Sequence, residues 1–352
     1  MAVRIITADV FDGLRELPDE SVHCVVTSPP YFGLRDYGMP GQIGLEPTPD
    51  AYVAKLVEVF REVRRVLRKD GTCWLNLGDS YWGSWANYAG GERGAGKQRL
   101  IKHGSSAQNP VWDGLEEYRP AASYKHENLK PKDLIGIPWR VAFALQADGW
   151  WLRQDIIWSK PNPMPESVTD RCTKAHEYLF MLTKSARYFY DAESIKEAGS
   201  AETLLRADRA QVSDARVNGV PGQVPHSLHK KRDKQRGHSR RHDGFNDRWD
   251  AMEKAQQCSG LRNKRSVWEI SPQPFPDAHF ATFPPALIEP CIKAGCPEGG
   301  TVLDPFGGSG TTGLVADRLK RNAVLIELNP EYAAMAERRV KGDCPMFAEV
   351  SA

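Results

Sequence analysis

The stretch TVLDPFGGSGTTG, Thr301 to Gly313, decides the fold, with Asn322 to Glu327 completing the unit behind it. Thr301–Asp304 reads as a short apolar strand running into a glycine-rich turn. The pattern predicts a helix from Thr311 or Thr312, with Leu314, Val315 and Leu319 on its buried face. Asn322 opens a second strand, Ala323 to Glu327. Together these form a βαβ unit of about 30 residues, which demands a parallel sheet. Glycines let a backbone approach a ligand closely, and a helix N-terminus offers free N–H groups. Glu327 ends the second strand about 20 residues after the turn, where an acid in dinucleotide folds holds ribose hydroxyls. That spacing points to an adenosine-containing ligand. A glycine turn alone also fits a tight structural turn, or a nicotinamide or flavin site. However, the turn is not GxGxxG, and no Lys-Ser/Thr pair follows as in a nucleotide phosphate loop.

Working outward, the N-terminal third alternates strands and helices. Val3–Ile6 and Val22–Val26 are β-branched runs, the second ending at Thr27-Ser28-Pro29-Pro30-Tyr31. A helix is expected over 51–68, with Val53, Leu56, Val57, Phe60, Val63 and Leu67 at spacings of three and four. Asp50 is its expected N-cap and Gly71 its stop signal. A strand at 72–77 follows. The stretch 81–130 is rich in Gly, Ser, Asn and aromatics without periodicity and reads as an inserted loop region. A helix near 138–147 precedes strands at 151–158 and 178–183, with the Ser159-Lys160-Pro161-Asn162-Pro163 loop between them. Residues 196–265 are polar and basic, and core-like sequence returns from Val267 to about Val340. The fold class is α/β: a Rossmann-like, doubly wound, mostly parallel sheet.

The 352 residues suffice for one large domain with insertions, and 41% apolar content supports a sizeable core. The absence of a long apolar run or a signal-peptide pattern predicts a soluble, cytoplasmic protein with no membrane partner. Net charge is only +2, yet residues 228–241 gather Lys230, Lys231, Arg232, Lys234, Arg236, Arg240 and Arg241 against one Asp. A local field of that strength attracts phosphate, although a basic run is as often a solvated loop. The seven cysteines are scattered, with no CxxC pair and no His cluster at zinc spacing, so buried thiols and no metal are expected. Pro290-Cys291 lies within an expected helix and reads as a structural thiol. His176-Glu177 reads as the start of a strand, with a structural histidine.

The Ser28-Pro29-Pro30-Tyr31 segment carries the chemistry. A Pro-Pro pair supplies carbonyl acceptors on a rigid backbone without N–H donors. Ser28 adds a hydroxyl, and Tyr31 a flat face on which a base can stack. Such acceptors suit an exocyclic NH₂ group, whose two hydrogens they would hold while its lone pair turns outward. The expected step is direct in-line transfer, driven by positioning and electrostatics.

The glycine turn, Asp-Pro-Phe-x-Gly-Ser-Gly-Thr, resembles motif I of the amino-methylating DNA methyltransferases, and Ser-Pro-Pro-Tyr resembles their motif IV. The order, catalytic motif first and cofactor motif last, resembles the permuted β class of restriction-modification or orphan type. The resemblance implies S-adenosyl-L-methionine as cofactor, held by Asp9, Phe283, Asp304, Pro305, Phe306, Gly308, Ser309, Gly310, Thr311 and Glu327. It implies Ser28, Pro29, Pro30 and Tyr31 as the catalytic segment. Members with Ser at the first position are mostly cytosine-N4 enzymes and those with Asp mostly adenine-N6 enzymes, so cytosine N4 is expected and adenine N6 is the alternative. A non-catalytic DNA-binding protein on this fold is the rival of another class. The implied organisation is a catalytic half at 1–80, an insertion at 81–130, further strands at 131–195, a target-recognition region at 196–265 and a cofactor half at 266–345. Double-stranded DNA is the implied partner, its target base flipped out of the stack. A homodimer and a cognate restriction endonuclease are left open.

Overall fold

The computed structural model describes residues 1–34, 38–82, 126–199, 260–273, 283–343 and 349–351. The chain divides into two units, Met1–Asp191 with Arg265–Ala352, and Ala192–Lys264. In the second unit the described residues form a short 3₁₀ turn, Glu193–Ile195, and a two-stranded antiparallel ribbon of β6 (Glu197–Ala198) and β7 (Leu261–Arg262). The basic residues Lys230 to Arg241 and most of the 81–130 insertion lie outside the described residues.

The first unit is built on a nine-stranded sheet. Its strands are β1 (Ala2–Thr7), β2 (Val22–Thr27), β3 (Leu67–Leu77), β4 (Trp151–Ser159), β5 (His176–Thr183), β8 (Val267–Glu269), β9 (Thr301–Asp304), β10 (Asn322–Glu327) and β11 (Glu349–Ser351). They lie in the order β11-β1-β10-β9-β2-β3-β5-β4-β8. All neighbours pair in parallel except β5, which runs antiparallel to both β3 and β4. The mostly parallel sheet expected from the βαβ pattern is therefore present, with β5 the reversed strand.

Helices cover both faces. Gly13 of α1 (Val10–Arg15) lies against Ile326, whereas Gly313 of the helix after the glycine turn lies against Leu325 and Val3. Neighbouring strand residues point to opposite faces, so the two helices cover opposite sides of β10. With α1 lie α2 (Pro49–Val66) and α3 (Ile137–Ala147), packed on a core that includes Leu14, Val25, Phe60, Leu75 and Phe180. The other helices are α4 (Pro285–Gly295), α5 (Thr311–Arg318) and α6 (Pro330–Asp343). Cys291 is buried within α4, which agrees with a structural thiol.

The helix expected over 51–68 occurs two residues earlier. Thr48, not Asp50, is its N-cap, accepting the Ala51 N–H at 3.1 Å, and Pro49 takes the first turn. Its buried stripe is Tyr52, Leu56, Val59, Phe60, Val63 and Val66, so Val53 and Val57 lie at the edge of the apolar face rather than in its centre. Gly71 does not stop the helix. It lies inside β3, where a Cβ would come within 2.5 Å of the Leu67 side chain and 3.0 Å of the His23 carbonyl. The register of β2 against β3 shifts nearby, between Val22 and Cys24. The helix yields directly to strand at Leu67 because Leu67 is fully buried on extended backbone.

The strand order reverses direction between β9 and β2. From β9 the chain proceeds to β10 on one side; from β2 it proceeds to β3 on the other. Crevices outside the carboxyl ends of strands form at such points. One buried carboxylate fixes this junction. Asp304, at the end of β9 and 1% exposed, accepts the Thr27 hydroxyl of β2 at 2.6 Å, the Thr312 hydroxyl of α5 at 2.6 Å and the Phe306 N–H at 3.1 Å. Burial raises its pKa to about 7, above an ordinary carboxyl, against the opposing pull of those donors.

Two outcomes follow from Asp304. Asp304→Ala leaves the buried Thr27 hydroxyl without its acceptor and the Thr312 hydroxyl with only the Val26 carbonyl at 3.4 Å, and urea unfolding should show a loss of roughly 2–5 kcal/mol. Because the folded pKa is raised, the folded state binds the extra proton. This contribution is complete below the unfolded value and is lost as pH rises through about 7. Asp304→Asn should remove this pH-dependent component of unfolding free energy, which a comparison of the two proteins across that window checks.

Candidate functional site

At the β9–β2 junction lies a cavity of about 820 Å³. Ser28, Pro29, Pro30 and Tyr31 line it from the end of β2. Pro305, Phe306, Gly308, Ser309 and Thr311 line it from the glycine turn, and Asp9, Phe283 and Glu327 complete that side. Segments from opposite ends of the sequence thus share one wall-to-wall space. Its size suits a small-molecule ligand with a second group beside it.

On the glycine-turn side, an acidic side chain organises backbone donors. Glu327, at the end of β10, accepts the Gly308 N–H at 2.8 Å and the Asn329 N–H at 2.9 Å. Burial raises its pKa. Gly308 has a positive φ of 50°, and an added Cβ would meet only the Phe306 carbonyl, at 3.9 Å. The turn is therefore bent for approach, with open space before it. Asp9 caps α1 by accepting the Phe11 N–H at 2.8 Å while also facing the cavity. Arg339, on α6, donates to the Ser309 and Thr311 hydroxyls, each at 2.9 Å.

Two residues expected to hold the cofactor stand elsewhere. Asp304 is outside the cavity lining, and its carboxylate is taken by Thr27, Thr312 and Phe306. Gly310 is also outside it. At φ 78° it begins α5, and its Cβ position lies 2.7 Å from the Ala336 Cβ, so it serves close packing of α5 against α6. Both shape the turn from behind.

On the other side, the Ser28–Tyr31 segment is braced. The buried Tyr52 hydroxyl donates to the Pro30 carbonyl at 2.8 Å. The half-buried Tyr31 ring lies against Gly78, where a Cβ would fall 2.5 Å from it, so only glycine leaves room. The Tyr31 hydroxyl is within 2.7 Å of Glu177 Oε2 and 3.1 Å of Asn76 Oδ1, and the Ser28 hydroxyl donates to it at 3.4 Å. Burial, then the Glu177 charge, raise the Tyr31 pKa well above the ordinary phenol value. Lys160 pairs with Glu177 Oε1, and Asn76 Nδ2 reaches Glu177 Oε2 at 3.3 Å and the Tyr178 carbonyl at 3.1 Å. Lys174 donates to the Asp79 carbonyl at 2.7 Å, and burial lowers its pKa. Asp79 also caps α3 from a distance, accepting the Gly136 and Ile137 N–H groups at 3.0 Å.

This polar wall corrects one sequence expectation. His176-Glu177 does begin β5, but Glu177 is a cavity residue rather than a bystander of the strand. Asn76, Lys160 and Lys174 were not singled out as site residues. Asn76 carried a usable signal: it is a polar interruption in the apolar run Trp74 to Leu77, and it is 3% exposed. Among the described residues no group of His, Cys, Asp or Glu is arranged to hold a metal, and no helix is long and apolar enough to cross a membrane. Five described cysteines are free thiols, four of them buried.

Comparisons with known proteins agree on kinship. Residues 22–338 match the N6/N4 methyltransferase family model described as DNA methylase. The chain is 44% identical over 338 residues to Type II methyltransferase M.XycI of Xanthomonas campestris pv. cyanopsidis, covering 96% of this chain and 87% of that protein. Among solved structures, PvuII DNA methyltransferase, described as cytosine-N4-specific, has the same fold at TM-score 0.55 with 18% identity, over 96% of this chain and 87% of that one. A Thermus thermophilus protein described as a DNA modification methylase, complexed with S-adenosyl-L-methionine, matches at TM-score 0.54 and 21% identity, over 99% of this chain and 100% of that one. With both motifs intact and meeting at one cavity, this chain belongs to the DNA methylase family of N6/N4 amino-methyltransferases.

Proposed function

We propose that the protein is a site-specific DNA methyltransferase that transfers a methyl group from S-adenosyl-L-methionine to the N4 amino group of cytosine in duplex DNA. The observation that carries the reading is the single cavity shared by the Ser28–Tyr31 segment and the glycine turn. Serine at the first motif position supports cytosine N4 over adenine N6.

The residues present fit the cofactor. The turn at Gly308 is open to close approach, its N–H network is organised by Glu327, and Asp9 faces the same space. In this reading Glu327 takes the ribose hydroxyls, Asp9 the adenine side, and Phe306 and Phe283 the apolar flanks. When bound, the cofactor supplies a methyl group activated by its sulfonium charge.

The remaining chemistry belongs to the chain. The target base enters beside Tyr31, flipped out of the helix because a duplex amine is out of reach of a protein pocket. Ser28 Oγ and the Pro29 carbonyl accept the two amine hydrogens and turn the nitrogen lone pair toward the methyl donor side. No covalent protein–base bond is required. The Tyr52 bond to Pro30 and the Glu177–Asn76 anchorage of Tyr31 keep this segment rigid, so the acceptors stay aligned at no reorganisation cost during reaction. The basic residues at 230–241 are assigned to DNA phosphates, and their loss should weaken binding broadly and reduce its salt dependence.

Two measurements test the reading. Ser28→Ala should lower single-turnover methyl transfer by about 10²-fold while cofactor affinity stays nearly unchanged. A collapse of affinity with unchanged turnover per bound complex would remove the role given to Ser28. Separately, DNA methylated by the protein, digested to nucleosides and analysed by mass spectrometry, should contain N4-methylcytosine. N6-methyladenine alone would reassign the base and keep the fold, the cofactor and the reaction class.

A further inference from the structure

Transfer to a neutral amine leaves the nitrogen positively charged with one proton too many. That proton needs a destination. Among the described residues five carboxylates line the cavity, and all are engaged, Glu177 by Lys160 and Asn76. Asp79 is held by the N–H groups that begin α3, Glu327 by Gly308 and Asn329, Asp9 by Phe11, and Glu166 by Arg171 at 2.7 Å. Glu177 differs from them: a continuous run of hydroxyls connects it to Ser28.

The bonds of that run share one direction. Ser28 donates to Tyr31 Oη at 3.4 Å, and Tyr31 donates to Glu177 Oε2 at 2.7 Å. Tyr31 has one proton to give. Of its two acceptors, the carboxylate is closer than Asn76 Oδ1 at 3.1 Å, and it carries the charge. Asn76 Nδ2 fixes Glu177 Oε2 from the other side, while Lys160 pairs with Oε1 and rests over the Trp158 ring at 4.2 Å. The Glu177 side chain is 15% exposed, so bulk water is largely excluded as a competing acceptor.

Building on the amino-methyl reading, we propose that the proton released by the methylated amine passes through Ser28 Oγ and Tyr31 Oη to Glu177, which is its terminus. An N–H bond breaks and a bond from that proton to Ser28 Oγ forms. The original Ser28 proton moves to Tyr31 Oη, and the original Tyr31 proton moves to Glu177 Oε2. The nitrogen regains its lone pair, both hydroxyls end as they began, and Glu177 ends as a neutral acid. Because burial and the Glu177 charge hold the Tyr31 pKa well above that of an ordinary phenol, Tyr31 relays the proton and does not persist as a phenolate. The Ser28–Tyr31 distance is at the long end for a hydroxyl pair, and such bonds tighten when substrate closes the site. Glu177 is thus a residue that acts on the substrate through Tyr31, not by contact.

The test uses the full chain, unmethylated genomic duplex DNA and cofactor with a labelled methyl. Single-turnover transfer is followed against pH for the wild type, Glu177→Gln, Tyr31→Phe and the double variant. Cofactor affinity and thermal melting are measured alongside. The other titratable groups around Glu177 are Lys160 after β4, Lys174 and His176 at the start of β5, and Asp79 after β3, and all are kept. Glu177→Gln should bind cofactor normally and lose about 10²-fold in rate. Tyr31→Phe should lose a similar amount, and the double variant should lose no more than either, as groups acting in one chain do. The acid limb of the wild-type pH profile should vanish in Glu177→Gln and persist in Glu177→Asp. Wild-type rates in Glu177→Gln, additive losses in the double variant, or an acid limb that survives the Gln substitution would each overturn the relay. If Glu177→Gln melts early, Tyr31→Phe and Glu177→Asp decide by the same readouts. Failure of the wild type to label DNA would overturn the amino-methyl reading itself, which is a separate result from failure of the relay.

Discussion

A buried carboxylate joins the two walls of the cavity. Asp304 ends the strand that leads into the glycine turn, and it binds Thr27, the residue immediately before Ser28, at 2.6 Å. A second oxygen holds Thr312 in the first turn of α5. One side chain therefore sets the separation of the Ser28–Tyr31 segment, the glycine turn and the helix that follows. Burying such a group is costly unless its partners are in place, and here three donors surround it. The cost enforces geometry: any displacement of β2 relative to β9 strands a carboxylate in the core. Parallel pairing of β2 with β9, through Cys24 with Val302 and Val25 with Leu303, supplies the rigid frame that holds the arrangement to hydrogen-bond tolerance.

The rest of the site depends on that junction in two different ways. On the glycine-turn side, acidic residues organise backbone N–H groups, so the turn presents a fixed shape to whatever binds. On the opposite wall, the rigid Pro-Pro segment is tied to the sheet at Pro30 and at Tyr31. The second tie crosses from β2 to β3 and β5, because Asn76 and Glu177 both reach the Tyr31 hydroxyl. The reversed strand β5 brings Glu177 to this edge at its beginning, where a parallel strand would have brought its end. Mixed strand direction thus contributes a functional group that an all-parallel sheet would have placed at the opposite rim.

Much of the fold was legible from local pattern. The βαβ unit at 301–327 has the strands and helix start its glycines and apolar runs imply, but α5 ends at Arg318, so Leu319, expected on its buried face, is the partly exposed C-cap and Ala316 is buried instead; the strands at 151–158 and 178–183 differ from the structure by one or two residues at their ends. The helix at 49–66 was legible as a helix, but its cap and buried face were not. Thr48 and Asp50 are both good caps, and only the packing of Tyr52 and Val59 against the core selects between the two starts. Gly71 reads as a stop signal in sequence and proves to be a close-approach site, a distinction set by the Leu67 side chain and the His23 carbonyl.

Sequence alone determined the motifs, their order and the fold class, because strand, turn and helix signals are short-range and the glycine turn needs no distant partner to be recognised. Tertiary structure decided which of those residues face the cavity. Asp304 and Gly310 belong to the motif yet stand behind the cavity, since strand alternation and the α5–α6 contact turn them inward. Glu177, Asn76 and Lys160 face it, since the antiparallel register of β5 against β3 and β4 brings together groups up to 101 residues apart. That register is a long-range pairing, and no local window of sequence contains it.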